Sequence, residues 1–132
     1  MNARYKGSPV ALIVNRHHTV RRALCDRIRA SFANFQLWEA ATVEDALVIL
    51  GEIDIDVVLI DTENSGVSGL KSTRAILERS PTASVIVISA FTEPACRSAA
   101  SRAGAMAFVS KRAINSELLQ VLADFIGEPQ HL

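Results

Sequence analysis

The stretch Val57-Val-Leu-Ile60 is a continuous apolar run, and Asp61 follows it directly. Most of its residues are β-branched, and a run without alternation is typical of a strand that is buried on both faces of a parallel sheet. The carboxyl ends of such strands are where α/β proteins place their functional sites. This stretch therefore predicts a parallel α/β fold and marks Asp61 as a candidate site residue.

Similar apolar runs occur on both sides of this stretch, and they predict strands over residues 10–14, 85–88 and 105–109. Segment 35–40 is weaker and more polar, and we expect it to form a strand near the edge of the sheet. Together with the first run, these segments predict a five-stranded sheet.

The segments between these runs have the apolar spacing of amphipathic helices. In the first helix the predicted core-facing stripe is Val20, Leu24, Ile28 and Phe32. Thr42 followed by Asp45 resembles a capping box for the second helix, Gly104 marks a helix end, and residues 115–117 offer caps for the last one. Strand and helix alternate five times, which predicts a doubly wound α/β fold with helices on both faces of a parallel sheet. The helical segments are 20–32, 43–50, 70–79, 95–103 and 118–125.

The composition fits one domain, with a core of about residues 9–127 and short polar ends. The 14 basic and 14 acidic residues cancel, so no long-range field attracts the molecule to nucleic acid or to an anionic membrane. The apolar runs are too short to span a bilayer. The widely separated Cys25 and Cys96 indicate reduced thiols, so we expect a cytoplasmic protein without direct nucleic-acid or membrane partners.

Polar residues follow four of the predicted strands at the point where each strand ends. Taken singly, each fits an ordinary role, such as a turn cap for Asp61 or a solvated Lys111. Because the carboxyl ends of parallel strands meet at one edge, together they predict a single site. Adjacent histidines at 17 and 18 lack the spacing that converges on one metal ion. The residues that follow the strands are Asn15-Arg16-His17-His18, Asp61, Ser89-Ala90 and Lys111.

The sequence resembles the receiver domains of two-component response regulators, the CheY-like fold, over nearly all of residues 9–127. The segments that carry the likeness are 57–61, Gly66 with Ser68-Gly69-Leu70, 85–90 and 104–111. The resemblance implies a flavodoxin-like sheet with strand order 2-1-3-4-5. It also implies that Asp61 is the phosphoacceptor, that Ser89-Ala90 and Lys111 contact the phosphoryl group, and that Phe108 is the aromatic switch. Residues 109–126 look most like receivers that precede LuxR-type helix-turn-helix domains.

The chain departs from the family at the end of the first strand, where two consecutive acids are usual and Asn15-Arg16 stand instead. Asp61 with Arg16 and Lys111 has a net positive formal charge, which disfavours Mg²⁺, a cation that prefers carboxylate oxygens. We therefore expect no cofactor, with Asp61 and Glu63 as weak candidate metal ligands. The guanidinium of Arg16 is expected to occupy the vacated metal space and pair with Asp61. The alternative is a solvent-facing Arg16.

These features lead to three hypotheses about function. The first is a non-enzymatic receiver module whose phosphorylation is impaired or lost and which acts by binding proteins. The second is a phosphorylation-competent receiver in which Arg16 partly replaces the charge of the metal. The third is a small phosphohydrolase with Asp61 as nucleophile, since Asp61-Thr-Glu63 faintly resembles the acid-x-acid opening of haloacid-dehalogenase enzymes.

The expected partners follow from the resemblance. They are a histidine kinase or phosphotransfer protein, an output protein or domain, and a second copy of the chain. The family commonly signals through the face built from the fourth helix, the fifth strand and the fifth helix. Here that face carries Arg97, Arg102 and Arg112 with Glu117 and Asp124, charges of both signs that suit a symmetric contact.

Overall fold

The structure is a computed structural model that describes residues 8–62 and 66–127. Strands and helices alternate along the chain, and a 3-10 turn (Lys111–Ala113) and a π turn (Ile114–Leu118) join the last strand to the last helix. The strands are β1 (Val10–Val14), β2 (Gln36–Ala40), β3 (Val57–Thr62), β4 (Ser84–Ser89) and β5 (Ala107–Ser110). The helices are α1 (His18–Ser31), α2 (Val43–Leu50), α3 (Gly66–Arg79), α4 (Pro94–Arg102) and α5 (Leu119–Ile126).

The five strands form one parallel sheet in the order β2-β1-β3-β4-β5. This confirms the doubly wound fold and the strand order that the resemblance implied. The three central strands are the continuous apolar runs, and nearly all of their residues are buried. The more polar segment at 35–40 forms β2 at the edge of the sheet, as predicted.

Alternate residues of the strands pack into two separate cores, one on each face of the sheet. On one face, residues such as Ile13 and Leu59 pack with apolar side chains of α1 and α5. On the other, residues such as Leu12 and Val58 pack with side chains of α2, α3 and α4. Each fully buried leucine or isoleucine contributes about 1.5–3 kcal/mol of transfer free energy, so both layers stabilise the sheet that carries the site.

The structure corrects two predictions about helices and confirms two. Val20 is 48% exposed and lies in the first turn of α1, so the buried residues of this helix begin one turn later, at Leu24. Residues 115–117 do not cap α5, because they lie inside the π turn that precedes it. The predicted cap of α2 is present, since the Asp45 N–H donates to Thr42 Oγ1 at 3.0 Å. Gly104 follows α4 with φ +107°, a conformation that favours glycine.

Cys25 lies fully buried in the core between α1 and the sheet. Burial raises the pKa of its thiol to about 11, so the group stays protonated and unreactive at neutral pH. Within the ranges that the structure describes, no helix has both the length and the apolar character needed to cross a bilayer.

Candidate functional site

The predicted site residues lie at the carboxyl ends of neighbouring strands. Asp61 is the next-to-last residue of β3 and pairs with Ile88 of β4. Ser89 is the last residue of β4, and Lys111 follows the last residue of β5. Asn15 follows β1 directly. Parallel strand direction therefore brings these residues to one edge of the sheet, as expected.

The carboxylate of Asp61 is the centre of this group. Its side chain is only 4% exposed, and its Oδ1 lies 2.7 Å from Nζ of Lys111. Its Oδ2 accepts a hydrogen bond of 2.6 Å from Nδ2 of Asn15. Hydrogen bonds to an ionised carboxylate are short and strong, and a buried carboxylate depends on them because it has lost its water. Asn15 at the end of β1 thus donates a hydrogen bond to one oxygen, and Lys111 after β5 forms an ion pair with the other.

The orientation of the Asn15 amide follows from its other contacts. Asn15 is 2% exposed, and its Oδ1 accepts a hydrogen bond of 2.7 Å from the backbone N–H of His17. A backbone N–H only donates, so the carbonyl end of the amide must face His17 and the NH₂ end must face Asp61. Asn15 therefore acts as a neutral donor to the carboxylate.

The backbone of Asn15 is fixed by contacts that the sequence analysis missed. Its N–H donates to the carbonyl of Ala40 at 3.0 Å, and its carbonyl accepts from Nη1 of Arg21 at 2.6 Å. Arg21 Nε also pairs with Glu39 Oε1 at 2.9 Å, on the edge strand. A continuous set of polar contacts therefore runs from the edge strand through Arg21 and Asn15 to Asp61. In the sequence, Glu39 is recognisable only as an acid that alternates with Trp38 along β2, and this pattern does not identify Arg21 as its partner.

Glu39 is paired with two arginines. Besides Arg21, Arg22 Nη1 lies 2.8 Å from Glu39 Oε2. Partial burial raises the pKa of Glu39, but the hydrogen bonds from Arg21 and Arg22 outweigh it and hold the pKa below its ordinary value of 4.5. Glu39 is therefore ionised at neutral pH and anchors the start of α1 to the edge strand.

Arg16 does not make the contact expected of it. Within residues 8–62 and 66–127, no ion pair joins Arg16 to Asp61, and the position on Oδ2 is taken by Asn15. The exposed Arg16 instead lies on a cleft of about 300 Å³ next to Asp61. Burying a neutral amide beside this oxygen costs less desolvation free energy than burying a charged guanidinium. The cleft is also lined by Thr42, Glu44, Thr62 and Ser72.

Ser89 ends β4, Ala90 follows it, and Phe108 lies in β5. Ser89 is 1% exposed, and its Oγ accepts from the backbone N–H of Phe91 at 2.9 Å, which leaves the hydroxyl proton available to donate. Ala90 is exposed. Phe108 is half-buried against the second core, and the guanidinium carbon of Arg97 lies 4.9 Å from the centre of its ring. The sequence analysis placed Arg97 on the partner face and did not predict this cation–π contact.

The two described partners of the Asp61 carboxylate are nitrogen groups rather than oxygen ligands. Mg²⁺ binds oxygen ligands, whereas both oxygens of Asp61 face N–H donors and Oδ1 of Asn15 is used by His17. Among the residues that the structure describes, no cluster of three or more His, Cys, Asp or Glu side chains could hold a metal. Glu63, the other weak candidate ligand, lies outside the described residues.

A doubly wound five-stranded sheet with a buried acid at the end of its third strand and a lysine after its fifth defines a CheY-like receiver. A family model described as the response regulator receiver domain matches residues 11–123, and the chain belongs to that family. It is therefore a receiver domain of two-component signalling. Receiver domains are in general signalling modules rather than enzymes.

Known proteins similar to this chain include regulators of the LuxR type. The chain is 31% identical to the transcriptional activator protein ExaE of Pseudomonas putida over 84% of its own length and 52% of the relative. It is 30% identical to the response regulator UvrY of Escherichia coli, over 84% of this chain and 51% of the length of UvrY. A solved LuxR family DNA-binding response regulator from Silicibacter pomeroyi superposes with a TM-score of 0.77 at 28% identity, covering 91% of this chain and 93% of that one. The chain spans about half the length of the curated relatives it matches.

Proposed function

We propose that this chain is an atypical receiver that acts chiefly by binding other proteins, with phosphorylation of Asp61 impaired or absent. The hydrogen bond from Asn15 Nδ2 to Asp61 Oδ2 carries the proposal. At 2.6 Å it places a neutral donor on one oxygen of a carboxylate that the family pattern surrounds with acids and a metal. Lys111 adds an ion pair at Oδ1, so both described partners of the carboxylate are nitrogen groups.

The chemistry of phosphoryl transfer explains why this arrangement slows the reaction. An aspartyl oxygen must attack phosphorus in line, and the charge on the transferred oxygens must be met by cations and donors that are already in place. Lys111 supplies one positive charge at Asp61, and Asn15 supplies only a dipole. A carboxylate oxygen that accepts a short hydrogen bond is also a weaker nucleophile. Both effects raise the barrier.

We also propose that the site has no useful affinity for Mg²⁺. Asn15 and Arg16 stand where the family usually has two acids, so the end of β1 offers an amide and a guanidinium in place of two carboxylates, and the carboxylates that line the cleft are those of Asp61 and Glu44. For Asp61 Oδ2 to coordinate an ion, Asn15 Nδ2 would have to leave it, and for Asn15 Oδ1 to do so, it would have to leave the His17 N–H. These rearrangements oppose coordination.

A phosphorylation-competent receiver is the second candidate function. Arg16 favours it, because this exposed cation lines the same cleft as Asp61 and is available to meet the oxygens of an incoming phosphoryl group. Ser89 and Lys111 are also at the strand ends where the family uses them. Under this alternative, Arg16 rather than a metal balances the added charge.

Protein partners follow from membership of the family. We propose a histidine kinase or phosphotransfer protein as the upstream partner and an output protein or domain as the downstream one. We further propose that contacts between copies use the face of α4, β5 and α5. On this face Arg102 and Arg112 are exposed, as is Asp124, so charges of both signs are available to a two-fold contact.

Intact mass after incubation with acetyl phosphate, with and without Mg²⁺, tests the proposal. We expect little or no added phosphate on the native chain in either condition. Stoichiometric addition that requires Mg²⁺ would contradict the proposal. Addition without Mg²⁺ that Arg16→Ala abolishes would establish the second candidate instead. Asp61→Asn is the control for phosphate at any other residue.

A further inference from the structure

Lys111 follows β5, which is an edge strand, whereas Asp61 lies in β3 on the other side of β4. The segment after β5 must therefore bring the Lys111 side chain back across β4 to Asp61. Lys111 begins the 3-10 turn Lys111–Ala113, and its side chain is 31% exposed. A lysine side chain has four rotatable bonds and much conformational entropy to lose. Its contact with Asp61 Oδ1 at 2.7 Å therefore depends on how firmly the backbone at Lys111 is held.

Hydrogen bonds fix the backbone on both sides of Lys111. Before it, the N–H of Ser110 donates to Oε1 of Glu117 at 3.2 Å. After it, the N–H of Arg112 donates to Oγ of Ser110 at 3.2 Å. Ser110 is 8% exposed, so its N–H has little access to water as an alternative partner. Glu117 thus satisfies a nearly buried donor at the end of the strand.

The π turn explains why Glu117 reaches back to β5. Residues Ile114–Leu118 form a wide turn before α5 begins at Leu119. Leu118 is fully buried in the first core and anchors the end of this turn. Turns of this kind are uncommon and often occur beside functional sites. Here the wide turn places the carboxylate of Glu117 over the end of β5.

We propose that Glu117 is a positioning residue for Lys111, acting through the Ser110 N–H. Its carboxylate holds the end of β5, and this in turn holds the Lys111 ammonium on Asp61 Oδ1. The importance of that ion pair for signalling rests on the proposed function. The positioning of Lys111 by Glu117 concerns only the Lys111–Asp61 contact. This proposal can therefore fail while the proposed function holds, and the proposed function can fail while this proposal holds.

The ammonium of Lys111 gives a direct readout by ¹H–¹⁵N NMR, because a lysine NH₃⁺ held in an ion pair exchanges its protons with water slowly enough to be detected. The Lys111→Arg variant assigns the signal by its disappearance. We expect the signal in the native chain and its loss in Glu117→Met, which keeps the length of the side chain but has no acceptor oxygen. Glu117→Gln, which keeps an acceptor for the Ser110 N–H, should retain the signal.

Asp124→Ala is the matched control, since it removes a carboxylate of the neighbouring helix α5 whose Oδ1 accepts from the exposed Gln120. It should leave the Lys111 signal unchanged. A Lys111 signal that persists in Glu117→Met, or that is lost equally in Glu117→Gln, would overturn the proposal. If Glu117→Met does not fold, hydrogen exchange of the native chain decides: a Ser110 amide as fast as an exposed one would refute the contact, and a protected one supports it.

Discussion

Asn15 Nδ2 lies 2.6 Å from Asp61 Oδ2, and this contact places a neutral amide where a receiver usually has acidic side chains around a metal. The opposite oxygen of the same carboxylate faces Lys111 at 2.7 Å. The carboxylate has a hydrogen-bond donor on one oxygen and an ion-pair partner on the other. The site is therefore organised before any phosphodonor or partner arrives.

Removal of the Asn15 amide should destabilise the fold. In Asn15→Ala the buried Asp61 Oδ2 and the His17 N–H both lose a partner, and a hydrogen bond to a charged group contributes about 1.5–3 kcal/mol. We expect a loss of that size in the free energy of unfolding, measured by urea denaturation. Arg16→Ala is the control, and because Arg16 is exposed it should change stability by less than about 0.5 kcal/mol. The reverse ranking would mean that Arg16 is the true partner of Asp61.

Restoring the acidic pair should create a metal site. The double variant Asn15→Asp with Arg16→Asp places two further carboxylates beside Asp61, which crowds like charges and lowers the melting temperature in the absence of metal. Added Mg²⁺ should reverse this loss, because a ligand that binds only the folded state stabilises it. Thermal melts over a Mg²⁺ series give the measurement. A double variant as stable as the native chain and indifferent to Mg²⁺ would contradict the account of the site.

Stability should depend on pH through Glu39. Its folded-state pKa is lowered, so the stabilisation it provides is complete above about its ordinary pKa of 4.5 and is lost as the pH falls through the folded value. The native chain should therefore lose its advantage over Glu39→Gln as the pH is lowered from 6 toward 3. Denaturant midpoints across this range provide the test. A stability difference that stays constant with pH would show that the pairing with Arg21 and Arg22 contributes nothing through the charge of Glu39.

The contact between Arg97 and Phe108 should be measurable as a coupling between α4 and β5. The guanidinium lies 4.9 Å from the ring centre, and Arg97 is exposed, so we expect a coupling energy of about 0.5–1 kcal/mol. A double-mutant cycle with Arg97→Ala and Phe108→Leu isolates this term from the packing of Phe108. Arg97→Lys should retain part of it. Additive effects of the two substitutions would rule out an energetic link at this position.

The sheet and the strand ends were predictable from local patterns. Continuous β-branched runs identify the central strands, and their common direction brings Asp61 and Lys111 to one edge. The contacts that organise the site were not predictable in the same way. Arg21 and Glu39 are 18 positions apart and meet only because α1 packs beside the edge strand. The role of Asn15 depends on the backbone N–H of His17, which fixes the direction of the amide and has no signature in sequence.

The expected role of Arg16 illustrates the same limit. The formal charge of the site suggested that the Arg16 guanidinium should take the place of the metal. Charge alone does not say whether Asn15 or Arg16 has the geometry to contact a buried oxygen of Asp61. Asn15 reaches Asp61 directly from the end of β1 and stays buried, whereas Arg16 remains at the surface of the cleft. Geometry and the free energy of desolvation, rather than formal charge, explain why Asn15 is the partner of Asp61 Oδ2.

Calorimetric titration of the native chain with Mg²⁺ tests the central claim most directly. If Asn15 and Lys111 satisfy Asp61 in place of a metal, no saturable heat of binding should appear at millimolar Mg²⁺, while the Asn15→Asp, Arg16→Asp variant should bind in the same range. Saturable one-to-one binding of Mg²⁺ by the native chain, abolished by Asp61→Asn, would show that the carboxylate exchanges its amide partner for the ion and would contradict the account.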